Sequence, residues 1–148
     1  MTDIKKSLLA GIESAKNAYN NINEINMVLT STSELIKEIS NGKATFGIGT
    51  FYEKNENDTP LGASIALMAS TYGRDTRKKY KGLAIFDAAG NAGEEIAVWT
   101  QHENGYPCSI NYDSYVLFCK NKNELEDALA ELLKQVKTGK AILSKMKR

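Results

Sequence analysis

The sequence predicts an α+β fold. A twisted antiparallel sheet of about six strands is flanked by an N-terminal helix or helix pair and by a C-terminal helix. Three observations predict it. Apolar residues recur three or four positions apart over residues 4–29 and again over 125–136, the period of one helix face. Between these stretches, residues 43–119 are rich in β-branched and aromatic side chains broken by turn formers, as strands are. The breaks there are short, and short turns join antiparallel neighbours. Helices segregated to the two ends of a sheet mark α+β rather than α/β.

The elements follow in order. Ile4, Leu8, Ile12, Ala15, Tyr19, Ile22, Ile25 and Leu29 form one continuous apolar stripe. Asn17, Asn20, Asn21, Asn23 and Asn26 fall mostly off it. They are mediocre helix formers, so the stripe needs a partner surface to be stable. Ser31 and Glu34 have capping-box spacing, which predicts a second helix through Leu35, Ile36 and Ile39, ended by Asn41-Gly42. An unbroken helix over residues 3–40 would span about 57 Å. That exceeds a compact domain of this size, so a break near residues 30–33, or an arm used in oligomerisation, is expected.

Residues 43–53 read as a strand and 54–60 as a polar loop. Residues 61–72 are apolar and fit a strand or a buried helix; the preceding loop and the absence of a helical polar face favour a strand, and residues 73–79 read as a charged turn. Residues 80–88, 94–101, 106–112 and 115–119 complete the sheet. Residues 121–137 form the clearest helix, with Leu125, Leu129, Leu132, Leu133 and Val136 on its buried face. Gly139 suits its terminator, and residues 140–148 form a last turn or a basic tail. The whole is one domain, 1–148: a helical segment over 1–41, the sheet over 43–119, and the C-terminal helix and tail over 121–148.

The chain has 148 residues, 42% hydrophobic and 25% charged, with a formal net charge of +1. It is long enough for one real core. It lacks the overall field that would attract nucleic acid or a membrane, so such binding needs a local patch. Two cysteines do not make a disulfide framework. The apolar run at residues 8–12 is too short for a signal peptide, and no run approaches the roughly 18 residues that span a bilayer. A reduced, cytoplasmic protein is the expectation.

Residues 99–108 hold the only Trp (Trp99) and the only His (His102) of the chain, with Pro107 and Cys108. Asn104-Gly105 is a strong hairpin signal. A two-residue loop there sets Glu103 opposite Tyr106, Gln101 opposite Cys108 and Trp99 opposite Ile110. Side-chain alternation then puts Trp99, Cys108 and Ile110 on one face, and Ile96, Val98 and His102 on the other. A direct Cys–His nucleophilic pair is thereby excluded. A turn at Asp113-Ser114 would set Cys108 opposite Cys119 as two small core hydrophobes. Zinc spacing is absent. Gly47-Ile48-Gly49 lacks the rest of a nucleotide-binding fingerprint and reads as a bulge or a close backbone approach. Asp87 and Glu94 read as strand-end charges.

Three surface features remain. Arg74, Arg77, Lys78, Lys79 and Lys81, beside Tyr80, form the one dense basic cluster, able to grip phosphate or to blunt a sheet edge. His102, Glu103 and Tyr106 sit at the hairpin tip, where aromatic side chains can anchor an interface. The acidic residues of 53–58 are a third candidate, suited to a basic partner. No residue is assigned as catalytic or metal-ligating, and no cofactor is assigned. The sequence therefore leans to a non-enzymatic protein-binding module, such as an immunity or inhibitor protein masking a toxin or host factor. One alternative is a phosphate-ligand or nucleic-acid binder, or a small enzyme, using residues 74–81. Another is an assembly protein that dimerises through its N-terminal helix. A protein partner is expected, a nucleotide or nucleic acid is the competing partner, and no membrane is expected.

Overall fold

The computed structural model describes residues 2–53 and 78–147. Helix α1 spans Thr2–Ile39 and is continuous. The expected break near residues 30–33 does not occur, because the hydroxyls there are used otherwise. Thr32 Oγ1 donates back to the Val28 carbonyl at 2.8 Å. Ser33 Oγ accepts the Phe46 N–H of the first strand at 3.0 Å. Neither caps a new helix; one is satisfied within α1 and the other ties it to the sheet.

The helix ends where expected. Asn41 and Gly42 take φ of 57° and 80°, and the Gly42 N–H reaches the Lys37 carbonyl at 2.7 Å. That is a left-handed helix stop. Ser40, fully buried, accepts the Ala44 N–H at 2.9 Å and so joins the helix end to the sheet.

Among the described residues, five strands follow as an antiparallel meander in the order β1-β2-β3-β4-β5. They are β1 (Ala44–Tyr52), β2 (Lys79–Asp87), β3 (Glu94–His102), β4 (Gly105–Tyr112) and β5 (Tyr115–Cys119). The strand expected over residues 61–72 lies outside the described residues. The β2–β3 turn is held by Asp87, whose Oδ1 accepts the Ala89 and Asn91 N–H groups at 3.0 and 2.8 Å. Trp99 pairs with Ile110, Gln101 with Cys108, and Cys108 with Cys119, as the turn positions predict.

Two parts of the hairpin reading are corrected. The register shifts after Gln101, so His102 pairs with Gly105 and Glu103 sits in the turn. A second irregularity, at Leu83/Ala84 against β3, breaks simple alternation. Ile96 and Ala97, adjacent in sequence, both enter the core that holds Trp99. Ile96 is therefore not on the opposite face; the extra residue of a bulge turns it inward.

The C-terminal segment also differs from the single helix and tail. Helix α2 (Lys122–Leu133) ends early, and α3 (Val136–Met146) follows. Asn121 caps α2 by accepting the Glu124 N–H at 2.9 Å. Thr138 Oγ1 and the Gln135 N–H both go to the Leu132 carbonyl, which closes the corner. Gly139 thus lies inside α3, and Val136 is 71% exposed rather than buried.

All three described helices feed one core. Ile25, Val28, Leu29 and Ile36 of α1, Leu125, Leu129 and Leu132 of α2, and Ala141 of α3 pack with Phe46, Leu83, Ile85, Trp99 and Ile110 of the sheet. The helices therefore cover the same sheet face. On the opposite face the Phe51 and Phe86 rings lie so close over Gly49 that an added Cβ would meet them at 3.1 Å. The close approach read from Gly47-Ile48-Gly49 is thus located, at Gly49.

Candidate docking surface

Helix α1 begins well before its contacts with the described sheet. Its first ties to the sheet lie at residues 21–24. Asn21 Nδ2 donates to the Asn104 carbonyl at 3.1 Å. The Tyr106 hydroxyl donates to Glu24 Oε1 at 2.7 Å. Gly105, with φ of 90°, approaches so closely that a Cβ there would stand 2.7 Å from Asn21 Cβ. Before that point residues 3–17 are all exposed. The helix therefore leaves the body as an arm of about 28 Å.

The arm carries the first half of the stripe. Ile4 is 59% exposed, Leu8 64%, Ile12 54% and Tyr19 67%. The second half of the same stripe, Ile25 and Leu29, is core. One periodic pattern is thus split between interior and solvent. A short helix standing in water without tertiary packing is marginal, and Asn17, Asn20 and Gly11 weaken this one further.

A second apolar feature lies along the body half of α1. A groove of about 860 Å³ runs between α1 and α2. Its rim includes Met27, Leu35 and Ile39, all more than half exposed, and its floor includes Leu129, Leu133 and Ile142. The groove needs α2 beside α1. From sequence, Leu35, Ile36 and Ile39 read only as helix residues and Leu129 and Leu133 only as core, with nothing to mark a groove between them.

The residues singled out from sequence divide as follows. Arg74 and Arg77 lie outside the described residues, as do residues 54–58 of the acidic loop. Lys78 and Lys79 are exposed where β2 begins, and His102 and Glu103 are exposed where β3 ends. Because β2 and β3 are antiparallel, these four residues share one end of the sheet. Tyr80 points elsewhere: its hydroxyl donates to Glu95. That hydrogen bond, then burial, pushes its pKa up to about 12. His102 Nδ1 accepts the Asn104 N–H at 3.1 Å, which makes it a turn residue. Tyr106 is half-buried against α1, and burial together with Glu24 raises its pKa well above the usual tyrosine range. It braces the base of the arm and is not free to anchor a partner from the hairpin tip.

Cys108 and Cys119 are buried and unbridged. Their mutual hydrogen bond, then burial, pushes the Cys108 thiol up, the opposite of what a reactive thiolate needs. Among the described residues no three His, Cys, Asp or Glu side chains gather as a metal would require. No described helix is long and apolar enough to cross a membrane. A smaller cavity of about 260 Å³ lies at the start of α3, lined by Glu95, Asn111, Lys137 and Thr138. Asn111 Oδ1 is buried with no hydrogen-bond partner among the described residues.

No protein-family model, curated protein or solved structure matches this chain.

Proposed function

We propose that this chain is a protein-binding module that docks through the apolar arm of α1. The observation that supports this is the exposure of Ile4, Leu8, Ile12 and Tyr19 at 54–67% on one helix face. Single exposed apolar residues are ordinary, but a contiguous apolar stripe marks an interaction site.

The energetics favour a covered arm. Full burial of a large aliphatic or aromatic side chain is worth about 1.5–3 kcal/mol, so these four at their exposure offer about 4–8 kcal/mol per arm. Ordering a marginal helix costs part of that. An amphipathic helix laid against a partner's apolar surface recovers it, a recurring recognition mode. The basic turn and the hairpin tip recede in this reading. Tyr106 and His102 are engaged within the chain.

The test is a capture experiment with three baits: wild type, a Leu8→Asp/Ile12→Asp arm variant, and a His102→Ala/Glu103→Ala tip variant. Thermal melts confirm that each bait is folded. A stoichiometric partner kept by the tip variant and lost by the arm variant is expected. A partner lost by the tip variant and kept by the arm variant overturns the reading.

A further inference from the structure

We infer that the arm's partner is a second copy of this chain, with the two arms paired antiparallel about a two-fold axis between residues 13 and 14. The inference rests on the reading of the arm as a docking surface and adds its occupant.

Self-complementarity is the first support. Leu8, Ile12, Ala15 and Tyr19 are spaced 4-3-4, a pattern that reads the same in both directions. A two-fold interface requires that residue i meets j where j meets i. Under this axis Leu8 meets Tyr19 and Ile12 meets Ala15, in both halves. Each large side chain thus faces one of different size, so the seam interdigitates. A parallel pair would stack Ala15 on Ala15, leaving a gap, and would set Lys16 against Lys16. The antiparallel pair sets Lys16 opposite Gly11.

Gly11 is the second support. It stands mid-helix, where glycine weakens a helix, and nothing lies within 4 Å of its would-be Cβ. Among the described residues it has no packing reason. A second helix passing at close range would use that space.

Area is the third. The four large apolar side chains of each arm expose on the order of 100 Å² each. With Ala15 and the aliphatic stems of Lys5 and Lys16, two arms together bury about 1,200 Å². That reaches the lower bound of a specific protein interface. Antiparallel pairing also carries Ile4 of each arm to Asn23 of the other, next to the partner's body, where contact extends further.

The experiment combines mass and cross-linking on the full chain. Sedimentation of the wild type over a concentration series should show a monomer–dimer equilibrium. Leu8→Asp, counted twice in a symmetric dimer, should weaken it at least about 100-fold. Leu8→Cys and Tyr19→Cys chains, mixed under mild oxidation, should cross-link to each other and not to themselves. Wild-type chain serves as the control, since Cys108 and Cys119 are buried. Leu8→Cys linking to itself overturns the antiparallel pairing. A monomer at every concentration overturns the second copy while leaving the arm as a docking surface, provided the arm variant still loses its captured partner. A dimer untouched by Leu8→Asp and Ile12→Asp overturns both.

Discussion

Ile25→Ala and Ile12→Ala make the same chemical change at two points of one helical stripe, and the structure predicts opposite outcomes. Ile25 is fully buried, whereas Ile12 is 54% exposed in the single chain. Truncating a buried isoleucine to alanine loses its transfer energy and leaves a cavity, together about 2–5 kcal/mol. Ile25 lies beside the Tyr106–Glu24 hydrogen bond, which holds the helix in place and limits collapse around the void. A value of about 3–4 kcal/mol is therefore expected. For a chain of this length that lowers Tm by about 10 °C. Ile12→Ala in a monomer should change stability by no more than about 0.5 kcal/mol, since alanine's better helix propensity offsets the lost contacts. At concentrations where arms pair, the same variant should lose stability, and the loss should grow with concentration. Circular-dichroism melts of both variants at micromolar and near-millimolar concentration measure this. Equal losses for the two variants at the lowest concentration would refute the reasoning, because Ile12 would then be packed within its own chain.

Other predictions follow from single contacts. Ser40→Ala leaves the buried Ala44 N–H without its acceptor and should cost about 1–3 kcal/mol in urea unfolding; a change below about 0.5 kcal/mol counts against the Ser40 bridge between helix and sheet. Gly105→Ala forces a side chain into φ of 90° and a 2.7 Å approach to Asn21 Cβ. It should destabilise by about 2 kcal/mol or more and loosen the base of the arm, seen as faster amide exchange at residues 18–24. Unchanged exchange there would mean that α1 is held by other contacts. Tyr80 titrates near 12, above its ordinary 10.0. Its contribution to stability is complete below pH 10 and is lost as pH rises to 12. Tyr80→Phe should therefore flatten the fall of the urea midpoint between pH 10 and 12, and a slope equal to wild type would exclude the Glu95 hydrogen bond as its source.

Local sequence carried the strands and much of their register. Asn104-Gly105 and Asp113-Ser114 are turn signals whose geometry depends on a few adjacent residues, so Trp99–Ile110 and Cys108–Cys119 could be paired from spacing alone. The misses arise where distant contacts override local preference. Ser31-Glu34 has the form of a helix start, yet the neighbouring Thr32 and Ser33 hydroxyls bond to Val28 and to Phe46, a strand the sequence does not place beside them. Ile96 alternates away from Trp99 on paper, and only the bulge turns it inward. Leu132 to Lys137 reads as continuous helix because a corner built from the Leu132 carbonyl and the Thr138 hydroxyl leaves no periodic trace. The arm was legible as an overlong stripe. The groove was not, because it is a relation between α1 and α2, and the apolar residues of each look like ordinary core.

Amide hydrogen exchange across α1, followed over a dilution series, tests the central claim most directly. Docked arms predict protection at residues 4–19 in the concentrated protein, lost on dilution, while residues 25–36 stay protected throughout. Protection of residues 4–19 that is equally low at every concentration, or equally high at every concentration, would contradict the pairing of arms between copies.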